Sequence, residues 1–406
     1  MGIASRILGA LDSAGDRWAR EQRAIVNVPA WVDIPLTGRT SSGRSVTPTS
    51  ALNYGPYFAA IRNISEDVAK LPLITYRRLP MGKERATDHP LYPILHDVAN
   101  PWQTAFEFRQ LIESHRLAWG NGYAMKEYDP RNGAIRALWP LRPDRMLSVE
   151  RFTRYGRPWY TYQWPDGEVV TYDASDIFHV RGIGDELVGY SIARLARESI
   201  GAGLATEEWA ANFWANDARP GGFMRHPGRM SKDAHERLRA TANEHRGSGN
   251  AHKWAVLEEG MDVVTVGIPP EDAQFLETRQ FQVREIARWF RLPPHKLGDL
   301  ADATFSNIEH QGQEYVTDTL GAPLVSWEQS IALRLMTESD RRTYFAEHLV
   351  DALLRADTLA RFQAYAVGIQ NKVMVPDEAR ERENLNPLPN GEGARPVETP
   401  NNTSPA

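Results

Sequence analysis

The chain contains no cysteine. That excludes a disulfide scaffold, a cysteine nucleophile and a thiolate metal site, and it is compatible with a reducing cytosol. Lysine is scarce, with seven against 40 arginines. The formal charge is −5 at pH 7, so the basic excess of a free-standing nucleic-acid binder is missing. No apolar run approaches the ~18–20 residues that cross a bilayer. The first residues do not read as a secretory leader, because Arg6, Asp12 and Asp16 interrupt any apolar core. Met1-Gly2 is followed by Arg6 where myristoylation wants Ser or Thr. No membrane partner is expected.

What is present is a globular composition: 406 residues, 24% charged and 42% hydrophobic. At roughly 150 residues per domain that length implies two to three domains. Twelve tryptophans and 40 arginines suit packed subunit contacts. A GC-rich genome is the plainer explanation of the arginine bias.

Residues 1–50 read as an N-terminal arm or linker, rich in Pro, Ser and Thr near its end. Ordered structure is expected from about Ala51, with a helix marked by Phe58, Ile61, Ile64, Val68 and Leu71 and stopped at Pro72. From there to residue 188 the pattern is α+β. One helix carries Phe106, Gln110, Ile112 and His115. Short strands follow, with Asn132-Gly133 and Asp166-Gly167 as hairpin turns, so the strands should form an antiparallel sheet. A long helix spans 189–217 and ends at Arg219-Pro220-Gly221-Gly222. A second, within 269–297, opens at Pro269-Pro270 and is ended by Pro293-Pro294. Between them, 218–268 is a small α/β insert, so the two helices should pair and carry it at their far tip. A loop, 298–304, leads to a capping box at Ser306-Asn307-Ile308-Glu309 and a helix over 305–337 with a kink at Pro323. Residues 345–386 are expected to be helical and 387–406 a Pro-rich disordered tail.

Motifs for chemistry are nearly absent. There is no Walker-type phosphate loop and no zinc-protease His-Glu-x-x-His. His235 and His245 are ten residues apart on one helix, which does not set them on adjacent turns. Gly189-Tyr190-Ser191-Ile192-Ala193 falls one glycine short of a nucleophile elbow, and Ser191 is better read as the cap of the long helix. Glu207-Glu208, Glu258-Glu259 and Glu271-Asp272 are neighbours that diverge on a helix. Gly182-Ile183-Gly184 lacks the third glycine of a dinucleotide fingerprint. No catalytic residue, cofactor or metal site is expected.

In order and spacing, several segments between Val46 and Leu388 resemble the portal, or head–tail connector, proteins of tailed bacteriophages, the type shared with long-tailed phages and gene transfer agents. They are Val46-Thr47-Pro48, Ile64-Ser65-Glu66-Asp67-Val68-Ala69 before Leu71-Pro72-Leu73, His89-Pro90-Leu91-Tyr92, Asn100-Pro101, and Trp119-Gly120-Asn121-Gly122-Tyr123-Ala124. Further on come Leu138-Trp139-Pro140-Leu141, Gly189-Tyr190-Ser191, Asp272-Ala273-Gln274-Phe275-Leu276-Glu277, Ser306-Asn307-Ile308-Glu309 and Leu354-Arg355-Ala356-Asp357. Gly122 departs from the family, which more often has Ala there, and His310 interrupts a run that usually continues with Gln.

The resemblance implies a portal fold: a β-rich wing (51–188), a two-helix stem (189–217 and 269–297), a small α/β clip insert (218–268), a tunnel loop (298–304), a kinked tunnel-side helix with a wing return (305–344) and a helical crown (345–386). It implies assembly as a dodecameric ring at one capsid vertex of the virion, put together in the host cytoplasm. Implied partners are other copies of the chain, the terminase large subunit, head–tail adaptor proteins, major capsid protein or scaffold, and double-stranded DNA passing without specificity. No catalytic site is implied. Asp299, Leu300, Asp302 and Thr304 would face the channel, and that loop has two acids and no base, which would keep phosphates off the wall. Asp302 could equally serve only as a helix cap. The clip counts eight basic and six acidic residues, and Arg225, Arg229, Arg237, Arg239 and Arg246 could dock acidic surface on the motor or adaptor or form intersubunit ion pairs. Trp209, Trp214 and Trp289 lie on the stem helices, where subunit contacts or internal burial could hold them. A carbohydrate- or nucleotide-processing enzyme and another polymerising tail protein are the competing readings.

Overall fold

The computed structural model describes residues 40–151, 156–215, 222–225, 262–265, 272–300, 314–350 and 358–397 apart from 384, with Lys232, Asp233, Glu236 and Gly312 as isolated positions. The chain divides into two compact units, 1–348 and 349–406.

The first unit is packed from Thr40 onward, earlier than the expected start at Ala51. Thr40 is buried, and Ser41 N–H donates to Glu198 at 2.9 Å. Two helices follow, α1 (Pro48–Ala51), with a Thr47–Ser50 capping box, and α2 (Gly55–Lys70). Proline at the start of α2 suits its first turn, where the missing N–H has no partner to lose. Its buried stripe is Tyr57, Ile61, Ile64 and Val68; Phe58, expected on that face, is 47% exposed. The stripe begins one residue earlier because Tyr57 stands four before Ile61, one helical turn away.

Next come β1 (Leu73–Arg78), β2 (Lys83–Arg85), a short helix α3 (Leu91–His96) absent from the sequence-based expectation, β3 (Val98–Asn100), β4 (Gln103–Thr104) and α4 (Ala105–Trp119). A Thr104–Glu107 capping box opens α4 and Gly120, at φ 82°, closes it. The strands β5 (Asn121–Tyr128) and β6 (Ile135–Leu141) form the hairpin expected at Asn132-Gly133. β7 (Met146–Glu150), β8 (Trp159–Gln163) and β9 (Val169–Asp173) follow, with Asp166-Gly167 turning β8 into β9, and then β10 (Ile177–Arg181).

The pairings are antiparallel, as expected, but the strands divide into several small sheets rather than one. Their orders are β10-β5-β6, β7-β8-β9 and a third containing β1 and β2. Gly122 has a physical reason here. β5 passes so close over α4 that a Cβ at Gly122 would lie 2.6 Å from both Ile112 Cγ2 and Ile112 O. An alanine here would collide with the Ile112 backbone at this spacing.

The long helix expected over 189–217 is broken. Ser191 caps α5 (Ile192–Leu195), and α6 (Arg197–Ala215) begins after Ala196. β11 (Gly222–Arg225) and β12 (Asp262–Thr265) pair with each other, and α7 (Asp272–Trp289) follows. Gln282 Nε2 donates to Thr206 Oγ1 at 3.0 Å, tying α7 to α6. Most of the α/β insert expected over 218–268 lies outside the described residues. So does the capping box at 306–309.

The kink expected at Pro323 takes the form of a π turn over Tyr315–Leu320, continuous with α8 (Gly321–Arg334). Pro323 has no N–H for the Thr319 carbonyl and its ring crowds that oxygen. The helix accommodates this with one wider turn. After α9 (Glu338–Thr343) the expectation of a helix from 345 fails. Tyr344–His348 is a strand, β13, paired to β1 from Leu73↔His348 to Arg77↔Tyr344. Phe345 stacks on Tyr76 at 5.6 Å between centroids, a partner that local sequence cannot announce.

The second unit contains α10 (Thr358–Gln370) and α11 (Pro376–Arg382). Arg361 Nε donates to Glu383 at 2.5 Å, and Tyr365 OH to the same carboxylate at 3.1 Å. The expected tail has structure at its start. Leu388 N–H donates to Asp377 at 2.8 Å, and Pro389–Ala394 forms a 3-10 turn.

Candidate functional site

The segments that flank residues 301–311 on both sides converge on α2. On the incoming limb, α7 buries Ile286, Ala287 and Phe290, and Phe290 meets Tyr57 edge-on at 5.4 Å. Arg291 adopts φ 55°, Leu292 N–H closes back on Ala287 O at 2.8 Å, and Pro293-Pro294 ends the helix. A 3-10 turn, Pro294–Leu297, stops at Gly298 with φ 85°. Asn63 Nδ2 on α2 donates to Lys296 O at 2.6 Å.

On the outgoing limb, Tyr315 OH donates to Asp67 Oδ2 at 2.7 Å. Burial first, then the Asp67 carboxylate, pushes the Tyr315 pKa upward and keeps the hydroxyl protonated. Lys296 Nζ lies 3.9 Å from the same oxygen and 4.4 Å from the centre of the Tyr315 ring. Lys70 bonds the other oxygen. One carboxylate of α2 therefore holds Lys296 before, and Tyr315 after, residues 301–311.

Polar bonds fix α8 to α4 and β10. Trp327, fully buried, donates from Nε1 to Glu113 at 2.9 Å, and Arg116 Nε donates to the same carboxylate at 2.7 Å. Ser326 donates to Arg181 O at 3.1 Å. At the helix C-terminus Lys126 Nζ donates to Arg334 O and to Ser175 O, each at 2.6 Å, where the helix dipole favours a cation. Burial, then the Arg334 charge, lowers the Lys126 pKa to about 8.

Of the residues singled out in the sequence, Asp299 accepts from Arg284 Nε at 2.6 Å with its side chain 7% exposed. Its charge is matched within the chain. Leu300 is 64% exposed, while Asp302 and Thr304 lie outside the described residues. Arg225 lies on β11; Arg229, Arg237, Arg239 and Arg246 lie outside the described residues. Trp209 and Trp289 are 44% and 38% exposed on α6 and α7, and Trp214 lies on α6 with its side chain outside the description. Ser191 is no exposed nucleophile: its hydroxyl donates to Ala118 O at 2.7 Å. Among the described residues no cluster of three or more His, Asp or Glu could hold a metal ion, and no helix is long and apolar enough to cross a membrane.

Lys296 and Glu113 were missed in the sequence, Asp67 was read only as part of a family segment, and Tyr315 and Trp327 count in the sequence only as part of the apolar stripe of their helix. The available signal was charge on a buried stripe, since Asp67 lies three residues after Ile64 and one before Val68.

Residues 56–384 match the family described as Phage portal protein. The chain belongs to that family. A probable portal protein of Streptomyces phage phiC31 is 32% identical over 366 residues, covering 87% of this chain and 79% of the phage protein. The portal protein of Enterobacteria phage HK97 is 29% identical over 356 residues, covering 86% and 83%. Among solved structures, a chain from the virion of a native gene transfer agent particle gives a TM-score of 0.57 at 26% identity, covering 87% of this chain and 97% of that one. A chain from the neck of the native particle, computed with C12 symmetry, gives 0.56 at 25% identity, covering 84% and 94%. Portal proteins are structural components of the virion, and this chain has their mixed helix and sheet fold.

Proposed function

We propose that twelve copies of this chain close into a ring at one capsid vertex, and that double-stranded DNA enters and leaves through its axis. The reading rests on the family match over 56–384. It is supported by the likeness to a chain from a particle neck computed with C12 symmetry. In this reading the loop from Gly298 faces the axis, and the double hold on Asp67 sets its stance. DNA carries one charge per ~1.7 Å, and a cationic wall would bind it by counterion release. Arg284 neutralises Asp299, the first of the two acids in this stretch of sequence, and Asp302 is the second. Leu300 adds an uncharged surface. The insert between α6 and α7 is the part that docks terminase and head–tail adaptors, with its basic side chains meeting acidic surface.

Electron microscopy of the purified protein tests this. The expected image is a ring of about twelve copies with an axial hole. A reconstruction without a hole, or with a densely cationic constriction, overturns the channel.

A further inference from the structure

A cleft of about 410 Å³ opens between α1, β7 and the first turn of α5. Its walls are largely apolar and include Trp119, Met146, Val149 and Leu195. Two charged residues line it. Asp144 is engaged, accepting from Arg142 Nε at 3.1 Å and from its terminal nitrogen at 2.7 Å. The Arg194 guanidinium is half-buried and has no hydrogen-bond or ion-pair partner among the described residues. Burial lowers its pKa, and no carboxylate among the described residues offsets that effect.

The neutral groups beneath are already satisfied. Ser191 Oγ donates to Ala118 O at 2.7 Å, and the Asn121 amide exchanges bonds with Gly189 at 2.9 and 2.7 Å. A half-buried guanidinium has five donors and no acceptor, and an acceptor supplied at this partly apolar site binds it more strongly than in open water. The complementary group is a carboxylate flanked by apolar side chains, which would give Arg194 a forked, charge-assisted contact.

We propose that this cleft receives such a segment from a second copy of the chain, so that Arg194 is completed only in the assembled ring. This rests on the ring reading above. A ring of identical chains sets one surface of each copy against a different surface of the next. The cleft then recurs once per copy, and the component present in equal number is the chain itself. The chain also has acids to give, with 52 Asp and Glu against 47 Lys and Arg.

The absence of cysteine makes the test clean. Leu195→Cys in the full chain takes a single maleimide photocrosslinker at the cleft wall. In purified rings, the crosslink should join two copies and map to a peptide containing Asp or Glu. In parallel, Arg194→Glu should raise the concentration at which rings dissociate by at least about tenfold, with an unchanged circular dichroism spectrum. Rings that show no inter-copy crosslink at residue 195, or Arg194→Glu rings as stable as the unsubstituted ones, overturn the inference and leave the ring reading standing. If the unsubstituted chain forms no rings, the ring reading itself fails.

Discussion

At the scale of single residues, His179 carries a fully assigned proton. Its Nε2–H donates to Asn121 Oδ1 at 3.0 Å, and its Nδ1 accepts from Tyr160 OH at 3.2 Å. The Tyr160 oxygen in turn accepts from Arg334 at 3.1 Å. Adding a proton at Nδ1 would face the tyrosine hydroxyl with a second donor and bury a cation near two arginines. Burial first, then Arg334 and Arg181, therefore hold the His179 pKa well below its ordinary value. Below about pH 6.5 the unfolded chain binds a proton there that the folded chain refuses, so stability falls as pH falls, by up to about 1.4 kcal/mol per pH unit. Thermal unfolding between pH 7 and 5.5 should show this loss. His179→Gln should show a shallower one despite lower stability overall, and equal slopes would refute the assignment.

At the scale of elements, the loop root depends on α2 as much as on the helices that bear it. Asp67→Ala removes the acceptor shared by Tyr315 and Lys296. A lost buried hydrogen bond costs roughly 1–3 kcal/mol. Amide exchange at residues 296–298 and 315–320 should accelerate about tenfold, while the β5–β6 hairpin stays unchanged. If those amides keep wild-type protection, Asp67 does not hold the loop. The elements legible in the sequence were those fixed locally. Thr104 with Glu107 starts α4, Pro293-Pro294 ends α7, and Gly133 and Gly167 turn the hairpins with positive φ. Each of these acts within about one helical turn of itself. α3 escaped notice because Pro93 lies inside it, and β11 because its glycine and the residues before it read as a stop.

At the scale of the whole molecule, β13 is the element whose misassignment mattered most. It closes the sheet of β1 at the end of the first unit, with Phe345 packed on Tyr76. A chain ending at Val350 keeps that ladder and should unfold cooperatively. A chain ending at Thr343 loses it and should be less stable by more than about 3 kcal/mol, as measured by urea denaturation. Equal midpoints would show that β13 adds nothing. The sequence by itself determined the α+β class, the helices with their caps and proline stops, the hairpin turns, and the family through the order of its short segments. Those are encoded by neighbours a few residues apart. Tertiary structure alone decided that Tyr315 meets a carboxylate 248 residues away, that β1 is sealed by a strand from the unit's end, and that Arg194 faces an apolar cleft with no partner among the described residues. Such contacts depend on which surfaces the packed chain brings together, and no local pattern specifies that.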